Sequence, residues 1–164
     1  MMPPWPGWDG LHPLIIHFPI ALLLVAPVFI VLAIVRPRHA GAFGLSALVL
    51  LVLGTAGAFV AVSTGEAAAE LATKTDAINA AIERHASLAE TARTIFAGIT
   101  LLYALLLGLP VVVKRLSTRG WVAGANIVVL GLVLAGGLVI ANAAHQGGLL
   151  VHKYGVQAML PPGS

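Results

Sequence analysis

Cysteine is absent from the 164 residues, which excludes disulfides, thiolate-held metals and thioether-linked haem. Charge is nearly as scarce. Only 9% of residues are Asp, Glu, Lys or Arg, against 59% hydrophobic, and the mean hydropathy of +1.00 excludes both a soluble domain and a disordered segment. The sequence also lacks a glycine-rich phosphate loop, a serine-histidine-aspartate set and a basic face for nucleic acid.

What remains is a set of long apolar runs. Residues 14–35, 42–63, 94–113 and 122–142 contain no Asp, Glu, Lys or Arg, and each is near the roughly 20 residues that carry a helix across the hydrocarbon core. Nothing basic precedes the first run and no small-residue cleavage site ends it, so it reads as a mature span rather than a signal peptide. With no Asp, Glu, Lys or Arg in any span, an ion or proton relay through the membrane is not visible.

The excess of Lys and Arg sits in two short connections: Arg36 and Arg38 after the first run, and Lys114, Arg115 and Arg119 after the third. By the positive-inside rule these loops are cytoplasmic, which places both termini and the 64–93 connection in the periplasm of a bacterium, with the chain in the inner membrane. Trp5 and Trp8 suit the headgroup level on one side and Trp121 on the other. The fold expected is an all-α, integral membrane four-helix bundle forming a single domain, with helices 2 and 3 extending into the periplasm and a tail over 146–164.

Chemistry concentrates in His12-Pro13-Leu14-Ile15-Ile16-His17-Phe18-Pro19. A histidine one turn inside a membrane helix is costly unless it faces protein, water or a metal. Pro13 can occupy a first helical position, whereas Pro19 and Pro27 fall inside the helix; a bend after His17 is expected to aim its ring inward. In the second helix Gly44, Ala47, Gly54, Ala58, Ala61 and Gly65 form a stripe of small residues suited to close packing.

Beyond Ser63 the chain turns mixed, and helices 2 and 3 are expected to project from the membrane and join near Lys74-Thr75-Asp76, where Thr75 or Asp76 caps the second. Folding about Thr75 would bring Glu66 towards His85, a carboxylate placed to orient an imidazole. In the fourth helix Gly124, Val128, Gly131, Ala135, Leu138, Asn142 and His145 recur at steps of three and four, a stripe that would set His145 against a neighbouring helix. Gln146-Gly147-Gly148 is expected to break that helix before a tail bearing His152. His12, His17, His85, His145 and His152 thus share the periplasmic side, and His39 stands beside the cytoplasmic arginines.

The His-Pro-Leu-Ile-Ile-His-Phe-Pro block, Thr64-Gly65-Glu66, Glu83-Arg84-His85 and Ala144-His145-Gln146-Gly147-Gly148 resemble a family of bacterial multi-pass membrane proteins known as a domain of unknown function. The likeness covers nearly the whole chain. It implies a four-helix membrane domain, found in some relatives beside cytochrome c-like or other redox modules, and hence an electron-transfer setting. Relatives often carry a tyrosine before a histidine in the tail; this chain has His152-Lys153-Tyr154-Gly155, so no role is carried over to His152.

The leading functional expectation is b-type haem, which needs two imidazoles from opposing helices, small residues beside the macrocycle and an apolar surround. The expected pair joins His17 with His85 or His145. His12 would serve a second haem or its propionates, and Asn142, Gln146 and Arg93 are candidate partners for those carboxylates. Bis-imidazole ligation favours electron transfer to or from a quinone-linked partner or a periplasmic cytochrome. An alternative uses His17, His85, His145 and His12, with Glu66, to hold copper, zinc or iron directly; an open coordination position there would make the chain a candidate oxidoreductase. A third reading is an accessory structural subunit of a respiratory or photosynthetic complex, or a homo-oligomer. The lipid bilayer is a partner in all three.

Overall fold

The computed structural model describes residues 7–116 and 118–156; Trp5 and the end of the tail lie outside them. Among the described residues every regular element is helical: α1 (His12–Ile15), α2 (His17–Val35), α3 (Ala40–Glu70), α4 (Asp76–Val112) and α5 (Arg119–His152). Four helical segments, α1 and α2 counting as one, are long and apolar enough to cross a membrane. The chain is a multi-pass membrane protein built as a four-helix bundle.

Local chemistry sets the ends of these elements. Pro19 has no N–H to give to the carbonyl of Ile15, and the first span is interrupted at Ile16, between α1 and α2. The interruption therefore falls before His17 rather than after it. Pro27 is accommodated inside α2. Thr75 caps α4, its hydroxyl accepting from the Ile78 N–H at 3.3 Å, and Asp76 adds negative charge to the first turn. Thr118 caps α5 in the same way, accepting from the Trp121 N–H at 3.2 Å.

The bundle is two antiparallel hairpins, α2 on α3 and α4 on α5, joined along lighter seams between α3 and α4 and between α2 and α5. Its core is Leu23, Ile30, Leu51, Phe96, Tyr103 and Val129 with their neighbours. Glycine sets several approach distances: a Cβ on Gly54 would stand 2.7 Å from Leu23, and one on Gly136 would stand 3.0 Å from Phe96. No more than 28% of any span's apolar window is buried within the chain, so most of each helix faces lipid or another protein.

Two expectations are corrected. The stripe Gly124, Val128, Gly131, Ala135, Leu138, Asn142 and His145 faces outward, Leu138 being 74% exposed; the inward stripe runs one or two positions over, through Ala125, Val129, Val133, Gly136, Ile140 and Ala143. In lipid the outer face of a helix is as apolar as the inner one, so hydropathy does not mark which side packs. Gln146-Gly147-Gly148 does not break α5 either, which runs on to His152. The roughly 1 kcal/mol that an interior glycine costs a helix is offset by packing, with Leu150 buried beyond the glycines.

Candidate functional site

At the end of the bundle that carries the α3–α4 turn, α1 and α4 each present a histidine to the interior. The interruption at Ile16 leaves α1 leaning on α3, and His12 lies across that helix with Nδ1 2.9 Å from the Ala61 carbonyl oxygen and 3.2 Å from the Thr64 hydroxyl. On the other hairpin His85 Nδ1 is 2.9 Å from the Ala143 carbonyl oxygen. A carbonyl oxygen only accepts, so both Nδ1 atoms donate, and in the neutral ring Nε2 keeps its lone pair. This is the tautomer that a metal-binding imidazole uses when its second nitrogen is held by backbone. Thr64 fits the same assignment, because its own hydroxyl donates to Ala61 at 3.0 Å.

Two glycines provide the seats. A Cβ on Gly65 would come within 2.9 Å of His12 Cε1, and one on Gly147 within 3.0 Å of His85 Cε1. The ring centroids stand 6.3 Å apart with planes at 81°, an edge-on arrangement. Two imidazoles sharing one ion through nitrogens at about 2.0–2.1 Å would have ring centroids at most about 6 Å apart. The donor type, the tautomer and the centroid spacing are compatible with a group held by His12 and His85.

The other residues singled out from sequence lie elsewhere. His17 is exposed, its Nδ1 donating to the Pro13 carbonyl of its own turn at 2.9 Å, and His145 and Asn142 are exposed on α5. Of the histidines singled out, the structure brings His12 and His85 together, while His17 and His145 are exposed. Glu66 is exposed, while the residue before it, Gly65, is the one packed in the site. Gln146 is half-buried beside Gly147. Arg93 lies eight residues along α4 from His85, about 12 Å at the helical rise, and its guanidinium sits 5.2 Å over the Phe59 ring. His152 ends α5, exposed, and His39 is exposed in the turn before α3, 6.3 Å from Phe43.

Among the described residues no three His, Asp or Glu side chains gather as they would around an ion. A groove of about 500 Å³ between α4 and α5, lined by Ile95, Gly98, Leu102 and Ala135 among others, contains no histidine. The residues missed in the sequence reading are the two carbonyl holders, Ala61 and Ala143, and Thr64; the signal for them was the glycine four positions on from each alanine.

The fold is that of a four-helix membrane protein in which His12 and His85 lie near one another at one end of the bundle. The chain belongs to the predicted membrane protein family DUF2231, whose model matches residues 9–159. Comparison with curated proteins and with solved structures gives no match.

Proposed function

We propose that the chain is a b-type haem-binding electron-transfer protein, in which His12 and His85 would hold the haem. The observation that carries this reading is the pair itself: two imidazoles from different hairpins, each held through Nδ1 by a backbone carbonyl and each with Nε2 free to ligate. A zinc ion takes three or four protein donors and a non-haem iron takes three, so two imidazoles fall short of either. A haem would ask only two ligands of the protein, and His12 and His85 would supply them.

Bound between these rings, a haem would supply one-electron ferric–ferrous chemistry. The chain's contribution is to fix the two imidazoles and exclude thiolate ligation; ligation by both histidines would favour electron transfer over oxygen activation. Arg36, Arg38, Lys114, Arg115 and Arg119 lie at the opposite end of the bundle from His12 and His85. The positive-inside rule supports a site at the periplasmic face of a bacterial inner membrane, where a periplasmic cytochrome or a quinone-linked partner could reach it.

The test is absorption spectroscopy of the detergent-purified protein from haem-replete cells. The expected result is a Soret band with sharp α and β bands on reduction by dithionite. A colourless protein contradicts the proposal.

A further inference from the structure

The contacts that seat the two histidines obey one numerical rule. His12 rests on Ala61 and Gly65, and His85 rests on Ala143 and Gly147. Deeper in the bundle Gly54 admits Leu23, and Gly136 admits Phe96. From the first span to α4 the partners stand 73 positions apart at both His12/His85 and Leu23/Phe96. From α3 to α5 they stand 82 apart at Ala61/Ala143, Gly65/Gly147 and Gly54/Gly136.

Buried residues follow the same shifts, as in Ala26/Ile99, Ile30/Tyr103 and Leu51/Val133. Helical periodicity alone would match buried positions at any whole number of turns. It would not reproduce three specific contacts between two helices. The two seams joining the hairpins are also nearly equal in extent, as a two-fold axis between the hairpins requires.

We infer that the chain is one helical-hairpin unit used twice, and that the His12–His85 centre is a two-fold site of equivalent halves in which Gly65 and Gly147 are the positioning residues. The identity of the ligand rests on the haem reading; the symmetry does not. Its ligand class is a group that takes two imidazoles of equal rank from opposite sides. The copies diverge where polar contacts lock the seams: Thr55 and Thr100, joined at 2.9 Å, correspond to Gly137 and Pro27. They keep the histidine, the alanine that offers its carbonyl, and the glycine seat.

The natural absence of cysteine makes the test direct. Nitroxides on cysteines introduced in pairs at the exposed positions Val28, Val52, Leu101 and Leu134 report distances in the full-length protein by pulsed electron resonance. Equivalence predicts that the 28–52 distance matches 101–134 and that 28–134 matches 52–101. Unequal pairs overturn the inference.

A second measurement reads the half-sites. With ¹⁵N-labelled histidine and no haem added, both rings should show protonated Nδ1; Gly65→Ala should move the His12 resonances alone, and Gly147→Ala those of His85 alone, by similar amounts. A substitution that leaves its own ring unmoved overturns the positioning role. If either variant fails to fold, the distances decide. Neither measurement needs haem, so a colourless protein with matched distances contradicts the haem reading and leaves the two-fold site standing.

Discussion

Tyr103 and Asn126 are the polar anchor of the bundle's far half. Both are fully buried, the Tyr103 hydroxyl donates to Asn126 Oδ1 at 2.7 Å, and Asn126 Nδ2 donates to the Val122 carbonyl at 2.8 Å. Tyr103→Phe removes the donor and leaves a buried amide oxygen unpaired, an expected loss of about 1 kcal/mol, the scale of interhelical hydrogen bonds in membranes. Reversible unfolding in mixed micelles measures it, and an unchanged stability would contradict this account of the pair. Asn126 was also the residue-scale signal that the sequence offered for the inner face of α5, because a polar side chain deep in an apolar span, unlike Asn142 at its end, turns towards protein. His145 drew the eye instead. It lies at the helix end, where an imidazole can reach water, so its sidedness is not forced. His12 and His85 were legible as histidines near one membrane face, but their partnership depends on backbone carbonyls, which have no letter in a sequence.

Among the elements, α3 is held against α2 by absence of side chain. A methyl group on Gly54 would stand 2.7 Å from Leu23, whereas Gly131 on the outer face of α5 has nothing within 4 Å. Gly54→Ala should therefore destabilise the α2–α3 seam by about 1–3 kcal/mol through overpacking, and Gly131→Ala should be neutral or slightly stabilising through helix propensity. Thermal melts of the two variants in detergent check the contrast; equal effects would mean that the seam is not close-packed as described. The small-residue stripe of α3 was readable from sequence, since Gly44, Ala47 and Gly54 do turn inward. In α5 glycines occur on both faces, and the stripe chosen by spacing was the outer one. The continuation of α5 through Gln146-Gly147-Gly148 was hidden for a related reason: Gly147 is there for the approach of His85, which is a tertiary demand, and local propensity alone reads it as a helix end.

For the molecule as a whole, four spans and an all-helical bundle followed from hydropathy and length, because backbone groups in lipid must be satisfied within each segment. Orientation follows from loop charge and is tested separately. In cells, Lys74→Cys should react with a membrane-impermeant thiol reagent from outside, and Arg38→Cys and Lys114→Cys only after permeabilisation; the reverse pattern would place the paired histidines at the cytoplasmic face. The site draws its halves from the two hairpins, so single imidazole losses should be equivalent to one another and unlike the loss of any outward histidine. The measurement that bears most directly on this is the oxidised and reduced spectrum of four purified variants. His12→Ala and His85→Ala should each lose the low-spin bands of the wild type, while His17→Ala and His145→Ala keep them. Bands that survive the first two substitutions, or vanish with the last two, would contradict the His12–His85 centre.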